Sequence, residues 1–178
     1  SVQKWLEQLN LVIQHGVNHI SCYNLTLEPG TPLQEMVEKQ RVVLPEEKEQ
    51  GKMFVHGAEY LEEQGFLHYE ISNFSRMGFM CRHNLGYWEG KDYIGMGPTG
   101  VSTYKGLRIV QPQDLQEYET RVEQGRIWDD AEKINFEQQV REFVMLRLRT
   151  VKGMSLREYK QLTGKDFCRE HESMLQAL

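Results

Sequence analysis

The sequence predicts an α/β fold that gives way to a mostly helical C-terminal part. Three observations carry that prediction. An amphipathic helical pattern followed by a β-rich run occurs twice before residue 72, two further β-rich runs flank Lys105-Gly106, and from residue 115 the apolar residues fall at helical spacing. Helix, short loop, strand is half of a βαβ unit, so a mostly parallel sheet with helices outside is expected. The boundary to the helical part is expected at residues 111 to 112.

Val2, Trp5, Leu6, Leu9, Val12 and Ile13 recur on one face of a helix, and Gly16 supplies its stop. Residues 18–27, NHISCYNLTL, are rich in β-branched and aromatic types and end at the turn Glu28-Pro29-Gly30, which predicts a strand. After Thr31-Pro32 a short polar helix is expected to about Gln40. Pro45 followed by Glu46, Glu47 and Glu49 marks the next N-terminus, and Met53, Phe54, Gly57, Ala58 and Leu61 give a buried stripe, so a helix is predicted over 45–64. Phe66, Leu67, Tyr69 and Ile71 make a short strand.

Further on, VSTYKGLRIVQP reads as a hairpin about Lys105-Gly106. Leu115, Tyr118 and Val122 mark a helix ending at Gly125, a longer one carries Phe136, Val140, Phe143, Val144 and Leu148, and two short ones follow Gly153 and Gly164. The last two have helix-turn-helix spacing around Thr163-Gly164. Their second member mixes Lys165 and Arg169 with Asp166, Glu170 and Glu172, which suits a solvated packing helix rather than a groove reader.

The chain carries 21 Lys plus Arg against 26 Asp plus Glu, a net charge of -5 with the signs interspersed, which disfavours nucleic acid as a partner. No apolar run reaches membrane-spanning length and no signal peptide is visible, so a cytoplasmic protein is expected. Cys22, Cys81 and Cys168 are odd in number, widely spaced and never in a C-x-x-C pair, which argues for reduced thiols over a disulfide framework. A helical pattern is already under way at residue 2 and HESMLQAL breaks off inside another, so the chain reads as a piece of a longer protein. A sheet without its neighbouring strands presents a bare edge, and a homodimer through that edge is expected.

Candidate ligand chemistry gathers between Tyr69 and Ser102. If His83 to Trp88, HNLGYW, is helical, His83 and Tyr87 are neighbours one turn apart, as are Asn84 and Trp88, which sets an imidazole beside an aromatic wall. Such a wall suits a flat ligand: a neutral imidazole takes an axial position on haem iron, Tyr87 and Trp88 offer stacking surface, and Arg82 offers a partner for a propionate. On residue types alone the favoured reading is plainer, with Tyr87 and Trp88 as core aromatics and His83 as a hydrogen-bonded structural histidine. The Gly95-x-Gly97 pair lacks the third glycine and following helix of a dinucleotide fingerprint, and a tight turn explains it at least as well as a close approach to a cofactor. Glu70 stands either at the ligand-facing edge of a sheet or on the surface. His19, Cys22, His56 and His68 show no metal-ligand spacing.

Four blocks taken together, HISCYNLTLEPGT from His19, YEISNFSR from Tyr69, CRHNLGYW from Cys81 and DYIGMG from Asp92, closely resemble the radical S-adenosylmethionine family of oxygen-independent coproporphyrinogen III oxidase, and particularly its haem-chaperone, oxidase-like branch. Order and spacing of all four agree, and the likeness covers essentially the whole chain. It implies that residues 1–111 are the C-terminal part of a partial (β/α)6 barrel, whose concave side in the full-length parent holds S-adenosylmethionine and a 4Fe-4S cluster, and that residues 112–178 are the family's helical C-terminal domain. The family's C-x-x-x-C-x-x-C cluster ligands are absent from this sequence, so radical chemistry is not expected of these residues alone.

Carried over position by position, HNLGYW resembles the HN-x-x-YW haem-binding motif of the chaperone branch. That makes His83 the candidate axial ligand of haem iron, with Asn84, Tyr87 and Trp88 as haem contacts, and it lifts the ligand-facing reading above the packing one. Leu25 and Val101 match positions where the oxidase branch touches S-adenosylmethionine. GMGPTG departs at Thr99 and Gly100 from the family's usual G-x-G-P-G-A. The implied function is a haem chaperone that hands haem to a haem-requiring acceptor protein. The alternatives are oxidative decarboxylation of coproporphyrinogen III propionates in porphyrin biosynthesis, and a non-catalytic helical interaction module.

Overall fold

The computed structural model describes residues 1–177, and the chain packs as two compact units, Ser1–Cys81 and a second that begins at Arg82. The first unit contains helix α1 (Val2–Gln14), strand β1 (His19–Ser21), helices α2 (Pro32–Glu38) and α3 (Glu47–Glu63), and strands β2 (Leu67–Glu70) and β3 (Asn73–Ser75). Its core gathers Leu9, Ile20, Cys22, Leu61, Phe66 and Phe74, with Trp5, Leu6, Ile13, Ala58 and Tyr60 packed around them. The apolar stripes read from sequence in α1 and α3 are therefore the faces that meet. A full-sized apolar side chain buried there stabilises by roughly 1.5–3 kcal/mol. Gly57 is the point of closest approach, where an added Cβ would run into Trp5 Nε1 and stand 3.3 Å from Trp5 Cδ1.

The sheet departs from the parallel arrangement expected. Its order is β1-β3-β2 and both pairings are antiparallel. β1 and β2 point the same way, as a βαβ unit requires, but they never pair, because the chain turns straight back at Ile71-Ser72 and inserts β3 between them. So short a connection leaves no room for a crossover, and only an antiparallel neighbour can follow. The strand predicted over 18–27 ends at Ser21. Cys22 still donates its N–H to Ser72 O at 2.8 Å, but β3 has by then run out, and Tyr23 and Leu25 lie exposed without a partner strand among the described residues.

The second unit opens with helix α4 (Arg82–Trp88) and continues through strands β4 (Val101–Tyr104) and β5 (Leu107–Val110), helix α5 (Leu115–Glu123), strand β6 (Glu132–Lys133) and helices α6 (Phe136–Leu148), α7 (Leu156–Thr163), α8 (Phe167–Glu170) and α9 (Glu172–Gln176). The β4–β5 hairpin turns on Lys105-Gly106, both with positive φ (50° and 78°), the backbone that matches a two-residue loop to the twist of its strands. β6 adds to β5 as a third antiparallel strand, so the unit is helical with a small sheet; the boundary expected at 111 to 112 lies inside this unit, between two paired strands, whereas the compact units divide after Cys81. α6 starts with a capping box in which Asn135 and Gln138 satisfy each other's backbone N–H groups. In the segment with helix-turn-helix spacing, α7 stops at Gly164 in the left-handed conformation, and Phe167 packs edge-on against the buried Tyr159 with ring centroids 5.0 Å apart. Four-residue α8 is thus a packing element. Among the described residues no helix is long and apolar enough to cross a membrane.

Candidate functional site

HNLGYW is helical. Successive residues advance about 100° around an α-helix, so His83, Tyr87, Asn84 and Trp88 fall within an arc of about 140° on α4. The His83 ring lies edge-on against Tyr87, centroids 4.6 Å apart at 79°, and Tyr87 in turn meets Tyr93 edge-on at 4.6 Å and 82°. Tyr93 is tied to β4 by two backbone hydrogen bonds with Thr103, N to O 2.8 Å and O to N 2.9 Å. The aromatic row therefore ends on rigid backbone. His83 itself is exposed and neither ring nitrogen is hydrogen-bonded to a described residue, which leaves a lone pair uncommitted.

Trp88 is held from the other side. Arg147 Nη1 donates to Trp88 O at 2.8 Å, and the Arg149 guanidinium carbon lies 4.6 Å from the Trp88 ring centroid. One face of the indole is covered by that guanidinium and its Nε1 is buried, so only part of the half-buried side chain faces solvent. Asn84, Tyr87 and Trp88 are half-buried, while Arg82 is exposed at the start of the helix. Below α4, a cleft of about 320 Å³ is bordered by Trp88, Asp92, Thr103, Glu142, Phe143 and Arg147 among others. Near it Arg108 grips Glu142 with two parallel hydrogen bonds of 2.6 and 2.9 Å, which hold the Glu142 carboxyl below the usual carboxylate range and raise the Arg108 guanidinium.

The glycine segment resolves as a turn within the chain. Gly95 donates its N–H to Ser102 Oγ at 3.0 Å and Gly97 to Tyr118 Oη at 2.9 Å. An added Cβ on Gly95 would run into the Val101 carbonyl oxygen, with Val101 N and C at 2.7 and 2.8 Å. The close approach that these glycines allow is thus to the first residue of β4. Val101 is half-buried in the second unit. Leu25 belongs to the first, where it is exposed and lines an apolar cleft of about 200 Å³ with Cys22, Pro45, Met53, Phe54 and Phe74.

Glu70, left open between sheet edge and surface, is 1 % exposed at the end of β2. It accepts from Ser72 N at 3.0 Å and from Asn73 Nδ2, and Ser21 Oγ donates to Asn73 Oδ1 at 2.5 Å, so a short polar chain stitches the three strands together. Sequence reasoning missed this chain, and it missed Arg147 and Arg149, whose position at the C-terminal end of α6 reads as ordinary helix capping. Cys22 is buried, Cys81 half-buried and Cys168 exposed; no three His, Cys, Asp or Glu side chains converge as a metal site among the described residues.

Residues 134–178 match the family model of the HemN C-terminal domain. Over 155 residues the chain is 34 % identical to the haem chaperone HemW of Synechocystis sp., covering 85 % of this chain and 37 % of that protein. It is 29 % identical over 158 residues to haem chaperone HemW of Bacillus subtilis, covering 88 % and 42 % respectively. Over 98 residues it is 43 % identical to the mitochondrial radical S-adenosyl methionine domain-containing protein 1 of Danio rerio, 55 % of this chain and 22 % of that one. The chain spans about two-fifths of the length of the two HemW proteins. Among solved structures, coproporphyrinogen III oxidase (HemN) from Escherichia coli, a radical SAM enzyme, superposes with a TM-score of 0.72 over 99 % of this chain and 43 % of its own, at 15 % identity. That likeness is one of fold. Four sequence blocks, the C-terminal family match and the relatives agree: the chain belongs to the HemN/HemW family of radical S-adenosylmethionine proteins and corresponds to its C-terminal region.

Proposed function

We propose that this chain is the haem-binding part of a haem chaperone, with His83 as axial ligand of the iron and Asn84, Tyr87 and Trp88 beside the porphyrin. The observation that carries the reading is the state of His83: an exposed imidazole, both nitrogens free of described partners, set edge-on to Tyr87 on a helix anchored through Tyr93 and Arg147. An imidazole with an uncommitted lone pair is what haem iron takes axially. Cargo that must be passed on favours such an open ligand over a buried one, since exchange needs access from solvent. The HemW relatives, named haem chaperones, support the same reading.

In this account residues 1–111 complete the second half of a partial (β/α)6 barrel and residues 112–178 form the helical C-terminal domain. Leu25 and Val101 contribute to the S-adenosylmethionine wall of the full-length parent, whose C-x-x-x-C-x-x-C segment holds the 4Fe-4S cluster. The protein works in the cytoplasm and delivers haem to a haem-requiring acceptor protein. The oxidase alternative has the fold likeness to HemN behind it.

The test is to load the full-length parent with haem and mix it with apomyoglobin as a generic acceptor, following the Soret band. Transfer to the acceptor, with no anaerobic consumption of coproporphyrinogen III, is expected. Conversion of coproporphyrinogen III to protoporphyrinogen IX without transfer would replace the chaperone reading by the oxidase one.

A further inference from the structure

Two neighbouring side chains, Trp88 of α4 and Arg149, each bury a donor with nothing to donate to. Trp88 Nε1 and Arg149 Nε have no hydrogen-bond acceptor among the described residues, and they belong to one cation–π pair, the guanidinium carbon 4.6 Å from the ring centroid. An indole N–H only donates and a guanidinium stays charged at any pH a protein meets, so neither can escape the mismatch by titrating. Leaving such donors dry is costly, and two together mark a place shaped for an acceptor.

Charge decides which acceptor. Arg108 is ion-paired to Glu142, and Arg121 to Glu117 and Asp130, whereas Arg149 has no carboxylate partner among the described residues. Neighbouring Arg147 gives its hydrogen bond to the Trp88 carbonyl rather than to an acid. Glu89, the acid adjacent to Trp88, is already taken by Lys91 at 2.6 Å. An uncompensated cation beside an indole, each with an N–H that lacks an acceptor, fits an anion with two acceptor oxygens on one carbon. We propose that Trp88 and Arg149 form a subsite for an alkyl carboxylate. On the haem reading above, on which this identification of the ligand rests, the carboxylate is a propionate of the tetrapyrrole. Trp88 follows His83 by five residues, about 7.5 Å along the helix axis, so one flat ligand can reach both. Trp88 then serves haem through its N–H edge, its face being covered by Arg149.

The test follows the indole N–H resonances of the 15N-labelled chain, one for each of its three tryptophans, during titration with sodium propionate. The Trp88 signal, assigned by its loss in Trp88→Phe, is expected to move downfield and saturate. Affinity should fall about tenfold in Arg149→Gln and be partly retained in Arg149→Lys. Trp5 and Trp128 should stay in place, which also reports that the variants are folded. A Trp88 signal that does not move, or that moves alike in the wild type and Arg149→Gln, overturns the subsite. Haemin and its dimethyl ester separate the sources of the carboxylate, because the ester keeps the ring and iron and lacks the anion. Haemin binding about tenfold tighter than the ester, equalised by Arg149→Gln, assigns the subsite to the tetrapyrrole. Equal binding of both by the wild type overturns the propionate as its ligand. A saturable propionate shift with no Soret response to either compound removes the haem reading and keeps the subsite for a free carboxylate.

Discussion

Gly95→Ala adds a single methyl group where the chain has no room for one. The new Cβ would collide with the Val101 carbonyl oxygen and stand 2.7 and 2.8 Å from Val101 N and C, so the two segments must part by more than an ångström to bring that oxygen to ordinary contact. The obstacle is backbone, and no rotamer change relieves it. Val101 is paired with Val110 in the β4–β5 hairpin, and the next residue, Ser102, is buried and takes the Gly95 N–H on its hydroxyl. Parting the segments therefore strains the hairpin and stretches that bond together. Overpacking costs about 1–3 kcal/mol where side chains can adjust, and a backbone obstacle places this variant at about 3 kcal/mol. Gly51→Ala is the control: nothing lies within 4 Å of its Cβ, it sits inside α3, and replacing glycine there should stabilise by about 0.5–1 kcal/mol. Urea titrations followed at 222 nm read both. With a slope of roughly 1–3 kcal/mol per molar, Gly95→Ala should lower the unfolding midpoint of the second unit by at least about 1 M, while Gly51→Ala leaves it in place or raises that of the first. A Gly95→Ala midpoint indistinguishable from wild type would refute the claim that the glycine segment is a turn closed on Val101.

Three further predictions concern charge, thiols and assembly. The Glu142 carboxyl is held low by the hydrogen bonds of Arg108, so the stability it contributes is complete above the ordinary carboxylate pKa and is lost as pH falls through the lowered one. Glu142→Gln should therefore cost roughly 1 kcal/mol at pH 7 and nothing in strong acid, and a cost that does not shrink on acidification contradicts it. Burial pushes the Cys22 thiol from 9.0 to about 11, which makes its thiolate about a hundredfold scarcer. Iodoacetamide on the native chain should label exposed Cys168 first and Cys22 last, and early labelling of Cys22 by mass spectrometry would count against the packed core. β1 and β2 are both open edges of the first sheet among the described residues, and a homodimer through one of them is expected; light scattering that returns a monomer at high concentration rules it out.

What could be read from sequence was what depends on neighbours along the chain. The stripes of α1 and α3 repeat over several turns, and the Lys105-Gly106 hairpin announces itself through residues that suit a two-residue loop. β3 escaped notice because Asn73 and Ser75 are polar and poor strand formers; Asn73 is buried with its amide hydrogen-bonded to Glu70 and Ser21 of the flanking strands. Losing β3 meant reading a parallel sheet where the chain makes an antiparallel one. The candidate site divides the same way. That His83 and Tyr87 share a face follows from helical spacing. That Arg149 covers one side of Trp88 depends on α6 folding back against α4, and no local pattern encodes it.

On the haem-chaperone reading, His83 presents a free imidazole to haem iron. Titrating the chain and His83→Ala with haemin side by side, followed by the Soret band, checks that ligation. A saturable red-shifted band is expected in the wild type, and in His83→Ala it is lost or reverts to the spectrum of weakly bound haemin. Identical titration curves for the two proteins, or no saturable change in either, would contradict it.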